Sequence, residues 1–123
     1  MRHRLARVSP FRDDAIADLR ELAEAAARLR SDLRAKEGVY RRAARTLERG
    51  TGVAKAMQMV KADQARRELT ETIEDFEYFR HRSRLSLTAS GLEEGMTTGQ
   101  IGRAWGISRQ LAARYAREAR DSA

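Results

Sequence analysis

The sequence predicts an all-α protein: a long antiparallel helical hairpin, coiled-coil-like, followed by a C-terminal helix-turn-helix. Three observations carry this. From Ala15 onward apolar residues recur at alternating steps of four and three over more than four heptads. Two glycines in three residues, Gly50-Thr51-Gly52, interrupt the pattern, which resumes beyond them. Near the C-terminus two short amphipathic stretches flank Gly106.

The first helix is expected to begin at Ser9-Pro10, where a serine cap, a proline with a pre-set φ and the carboxylates of Asp13 and Asp14 all favour a helix start. Its seam reads Ala15, Leu19, Leu22, Ala26, Leu29, Leu33, Lys36, Tyr40, Ala43, Leu47, with Lys36 as the one flaw. Gly38 costs about 1 kcal/mol relative to alanine. The seam keeps its phase across it, so residues 10–49 read as one helix ending at the turn 50–52. A second helix follows, with Val53, Met57 and Val60, then Ala62, Ala65, Leu69, Thr72, Phe76, Phe79 and Ser83 on its apolar stripe and a phase shift near residue 61. The short connection makes the two helices antiparallel neighbours. One shared seam leaves Ile73, Tyr78 and Leu85 partly wet, and self-association through residues 10–82 would cover them. Residues 84–95 hold weak helix formers, yet Leu85, Ala89 and Leu92 keep a helical stripe. They read as a supporting helix, fused to the long one or kinked from it, which Gly95 ends. The organisation is thus a basic tail 1–9, a hairpin 10–82 and a helix-turn-helix unit 83–123.

With 123 residues, a formal charge of +7 and a pI near 10.7, the chain favours a polyanionic partner. Basic residues outnumber acidic ones 13 to 8 in 1–50 and 5 to 2 in 95–123, against 7 to 8 between, so the excess sits at the two ends. Cysteine is absent, which removes disulfides and thiolate chemistry and fits a reducing compartment. No apolar run reaches membrane-spanning length, and MRHRLARVSPFRDD lacks the apolar centre of a signal peptide. A cytoplasmic, nucleoid-associated location and no membrane partner are the expectations. The 22 arginines against 3 lysines, with abundant alanine, look like a high-GC bacterial genome.

In TTGQIGRAWGISRQLAARYAREAR, residues 97–120, Ile101 and Trp105 face inward, Gly106 absorbs a left-handed turn, and Ser108 caps a second helix. If Ile107, Leu111 or Ala112, and Tyr115 face the core, then Arg109, Gln110, Ala113, Arg114 and Arg117 face outward. Arginine suits the paired acceptors of guanine, glutamine suits adenine, and Ala113 suits a thymine methyl. Arg103 would flank the phosphate backbone.

The stretch EEGMTTGQIGRAWGISRQLAARYAREAR resembles the helix-turn-helix of bacterial regulators, of sigma-factor region four and of the C-terminal domain of serine resolvases. The resemblance covers a quarter of the chain. The small residue of the first helix is matched by Gly102, where alanine is more usual, the turn glycine by Gly106, and the apolar positions by Ile101, Trp105, Ile107, Ala112 and Tyr115. It implies that Thr97 and Thr98 offer hydroxyl and backbone N–H groups to a phosphate, and that the helix 108–120 reads DNA. Serine resolvases carry a separate catalytic domain, for which this chain has no room.

Other constellations carry no chemistry. His3 and His81 are far apart and lack cysteine partners, so neither metal nor cofactor is implied and both read as solvated. Asp13-Asp14 and Glu93-Glu94 are adjacent on helices and diverge by about 100°. Met57 and Met59 near the hairpin tip suit either core packing or a partner-binding knob. The expected function is sequence-specific binding of double-stranded DNA by a homodimeric transcriptional regulator, not an enzyme. A second reading is a coiled-coil adaptor docking on RNA polymerase or on a segregation or recombination partner.

Overall fold

The computed structural model describes residues 10–122, so the tail 1–9, with His3 and the Ser9 cap, and Ala123 lie outside the described residues. Five helices and, among the described residues, no strand are present: α1 (Pro10–Glu48), α2 (Val53–Met59), α3 (Ala62–Glu93), α4 (Thr98–Trp105) and α5 (Arg109–Ser122). They form two compact units, one of Ala23–Glu77 and one joining residues 10–22 to 78–122.

The unit of residues 23–77 is a helical hairpin. α1 passes through Gly38 without a break and ends in a Schellman motif, in which Gly50 takes φ +92°, its N–H donates to Leu47 O at 2.9 Å, and Thr51 N–H donates to Thr46 O at 3.3 Å. Arg28 pairs with Asp75 and Lys36 with Glu68, so numbering rises along α1 as it falls along α3 and the two run antiparallel. The returning arm is split. Lys61 adopts a left-handed φ of 54°, separating α2 from α3 where the apolar phase shifts. Val53 corrects the expected stripe of that arm: it is exposed, while Ala56 and Val60 are buried.

The seam also needs correction. Ala15, Leu22, Leu29, Lys36 and Ala43 turn inward as expected, but the alternate positions are Asp18, Ala25, Asp32, Val39 and Thr46. Leu19, Leu33, Tyr40 and Leu47 are exposed, and Ala26 with them. The stripe is displaced by one residue in every second step because small and polar side chains satisfy it. Thr46 donates its hydroxyl to Arg42 O, and Lys36 Nζ lies 2.7 Å from both Asp32 Oδ1 and Glu68 Oε1. What looked like a flaw at Lys36 is a buried ion-pair node.

In the second unit α3 continues to Glu93 without a kink, despite Ser83, Ser86, Thr88, Ser90 and Gly91. Buried hydroxyls are satisfied inside the helix: Ser83 Oγ donates to Arg80 O and Thr88 Oγ1 to Arg84 O. Asp18 of α1 is 7% exposed and accepts from Arg82 Nε at 3.0 Å and Ser86 Oγ at 2.8 Å. Gly95 closes α3 as Gly50 closes α1, with Met96 N–H donating to Gly91 O. The first three turns of α1 thus sit with α4 and α5, where the sequence grouped all of 10–82 together.

Candidate nucleic-acid interface

α4 begins at a reciprocal cap. Gln100 N–H donates to Thr97 Oγ1 at 3.1 Å and Thr97 N–H donates to Gln100 Oε1 at 2.8 Å, so the threonine hydroxyl is engaged in the cap. The helix is eight residues long and ends at Gly106, φ +70°, from which Ile107 N–H reaches back to Gly102 O at 2.9 Å. A Cβ at Gly102 would lie 2.9 Å from Ile107 O, a backbone atom that cannot swing aside. Gly102, where alanine is more usual in the resembling motifs, is what lets the turn lie against this helix. Ser108 then caps α5, its Oγ accepting from Leu111 N–H at 3.0 Å.

The two helices are locked by Ile101, 1% exposed, and by Ala112, Tyr115 and Ala116 on one face of α5, with Trp105, Ile107 and Leu111 half-buried. Tyr115 is held from α3: Arg84 Nη1 donates to its hydroxyl at 3.0 Å with the guanidinium over the ring, and the His81 ring meets its edge. His81 is solvated as expected, its side chain 48% exposed, and its Nε2 also lies 2.9 Å from Glu118 Oε2. Neither contact was visible in the sequence, because the partners lie 31 and 37 positions apart.

Fixing that inward face decides the other. Ser108, Arg109, Gln110, Arg114 and Arg117 are exposed and Ala113 is half-buried, as their spacing of one, three, one and three residues from Arg109 requires. Arg103 of α4 is exposed, Thr97 exposed and Thr98 half-buried. The Arg103 and Arg109 side chains converge on the first turn of α4: a Cβ on Gly99 would lie 3.6 Å from Arg103 Nη1, 3.8 Å from Arg109 Cδ and 3.8 Å from Thr97 Oγ1. Gln100, which closes the cap, and Gly99, beside which the two arginines gather, are positions that the sequence reading did not single out; a T-x-x-Q capping box was the available signal for Gln100.

Electrostatics set this surface apart. From Met96 to Arg117 there is no acidic residue. Arg103, Arg109, Arg114 and Arg117 form no ion pair among the described residues, a state they share with Arg30, Arg34, Arg41, Arg45 and Arg49 of the hairpin, so the lack of carboxylates is what distinguishes this run. Also among the described residues, no cluster of histidine and carboxylate side chains is fit to hold a metal ion, and no helix is long and apolar enough to cross a membrane. Comparison with protein-family models, curated proteins and solved structures finds no match to this chain.

Proposed function

We propose that the protein is a sequence-specific DNA-binding regulator that acts as a homodimer and reads half-sites through residues 108–120. The observation that carries this reading is the carboxylate-free run from Met96 to Arg117, whose four arginines are exposed on α4 and α5 and form no ion pair among the described residues. A surface of that kind gains affinity when phosphates displace its counterions. Arg109 and Gln110, in the first turn of α5, are placed for base edges, while Arg117 two turns later is placed for phosphate.

Site selection from random duplexes, followed by titrations at several salt concentrations, tests it. Arg109→Ala is expected to cost about 1–3 kcal/mol on the selected site and to relax preference at one base pair. Arg117→Ala is expected to weaken all sequences alike and to lower the salt slope by about one. If Arg109→Ala binds the selected site as tightly as the parent, the reading face is wrongly assigned.

A second reading has its own observation. Leu33, Tyr40, Leu47 and Ile73 are each more than 40% exposed or at that value on the hairpin, an apolar area suited to a second copy or to another protein. Sedimentation at tens of micromolar separates the two: a dimer supports the regulator, and a monomer with this area free supports the adaptor.

A further inference from the structure

The strongest unabsorbed feature of the hairpin is charge. On α1, Arg30, Arg34, Arg41 and Arg45 recur at steps of four, seven and four, which puts them on one stripe. That stripe is opposite the buried line of Asp32, Lys36, Val39, Ala43 and Thr46, and all four arginines are exposed. It spans about 22 Å at 1.5 Å per residue. The charge continues around the turn: from Tyr40 to Lys61 there are six basic residues and one acidic residue, Glu48.

These cations are uncommitted. Arg30, Arg34, Arg41, Arg45 and Arg49 form no ion pair among the described residues. Of the nearby carboxylates, Asp32 and Glu68 are taken by Lys36, Asp75 by Arg28, and Asp63 by Arg66 and Arg67, while Glu37 and Glu48 share the stripe, exposed, and pair with none of these arginines among the described residues, which leaves the stripe net positive. Moreover, Arg30–Arg34, Arg41–Arg45 and Arg45–Arg49 are like-charge pairs four residues apart, which destabilise a helix that carries them in water. A polyanion laid along the stripe reverses the sign of that term.

We infer that the outer face of α1 between Arg30 and Arg49 is a second nucleic-acid contact, one that grips the phosphate backbone without reading sequence. The site rests on nucleic acid being the partner, but not on α5 being the reading helix. It contributes affinity for any duplex and leaves the choice of site to other residues. Phosphate rather than a protein carboxylate is the favoured anion because a backbone presents charge continuously over the length of the stripe, about one per 1.7 Å of duplex axis.

The full chain, its Arg41→Gln/Arg45→Gln/Arg49→Gln variant, the matching Lys variant, and Arg114→Gln/Arg117→Gln are titrated against a random-sequence duplex over a range of salt. The Gln triple is expected to bind on the order of tenfold or more weakly at 0.1 M salt, with the slope of log affinity against log salt reduced by about two to three. The Lys triple keeps the parental slope. Helical content is expected to stay equal or rise, since repulsion is relieved. A parental slope in the Gln triple overturns the inference, as does a Gln triple whose only change is lost self-association in sedimentation, which would make an acidic face of a second copy the partner. If the α5 pair binds like the parent while the Gln triple weakens, the α5 reading fails and this site stands; the converse removes this site and leaves α5.

Discussion

The hairpin of residues 23–77 and the unit of residues 10–22 with 78–122 use the same kinds of residue to different effect. In the hairpin the buried positions are, apart from Val60, small or polar, Ala25, Lys36, Thr46, Ala56 and Ala65, while Leu33, Tyr40, Leu47 and Ile73 are exposed. In the other unit Ile101 is 1% exposed and Tyr115 4%. Two helices share one line of contact, whereas several helices enclose a volume, and a volume more readily buries a large branched or aromatic side chain from all sides. The consequence is a unit that holds its own shape beside one with apolar surface to spare.

The largest expected effect tests that contrast directly. Ile101→Ala is expected to lower unfolding free energy by about 3 kcal/mol, the transfer and cavity terms of a fully buried side chain. Leu33→Ala, at a position 46% exposed, is expected to change the monomer by less than about 1 kcal/mol. Urea titrations at two protein concentrations sharpen the result: a loss in Leu33→Ala that appears only at the higher concentration places Leu33 in a self-association face, and equal losses at both would dissolve the comparison.

Next comes the ion-pair node of the hairpin. Hydrogen bonds that it donates to Asp32 and Glu68 hold the Lys36 ammonium above its ordinary value of 10.5. A raised value means stabilisation that is complete below pH 10.5 and is lost as pH climbs through the higher folded value. Glu68 is held below its ordinary 4.5, chiefly by the Lys36 hydrogen bond and then by Gln64, so its share is present above pH 4.5 and fades as pH falls. Lys36→Ala is expected to cost on the order of 2 kcal/mol at neutral pH, below the range for wholly buried pairs because Glu68 is half-exposed. Lys36→Met fills the space but leaves the Asp32 carboxylate, 17% exposed, without its cation, so it is expected to cost about as much as Lys36→Ala at neutral pH, with alkaline sensitivity removed. Thermal melts from pH 7 to 11 measure both. A parental alkaline slope in Lys36→Met would detach the node from hairpin stability.

The smallest effect concerns the break in the returning arm. Lys61 carries a left-handed φ of 54° that a glycine adopts without penalty, so Lys61→Gly is expected to stabilise the hairpin by about 0.5 kcal/mol after the unfolded-state entropy of glycine is subtracted. A destabilised variant would mean that the long side chain itself contributes.

Much of the fold was legible because it depends on local rules. Gly50, Gly95 and Gly106 each end a helix with positive φ, as any L residue with a Cβ would resist doing. Ser108 caps α5, and the outward arginines of α5 follow from helical spacing once Ile101, Ala112 and Tyr115 are inside. The seam was legible only in part. Heptad spacing cannot distinguish Leu33 from Asp32 as the inward residue, because adjacent positions lie 100° apart and a paired Asp32 is as acceptable inside as an apolar leucine once Lys36 neutralises it.

By itself the sequence determined that α1 ends at Gly50, that α3 ends at Gly95 and that Gly106 and Ser108 divide α4 from α5, which face of α5 is basic, and how positive the chain is, since propensity, capping and charge act over a few residues. Tertiary structure alone decided that Lys36 is a buried partner and not a flaw, that Leu33, Tyr40 and Leu47 remain outside, that Gly102 must lack a Cβ beside Ile107, and that Arg84 and His81 hold Tyr115. The pairing of Lys36 with Glu68 and of Arg84 with Tyr115 joins groups 32 and 31 positions apart, whose burial becomes favourable only when both arrive together, while Gly102 and Ile107, close in the chain, meet only because the turn at Gly106 folds one onto the other.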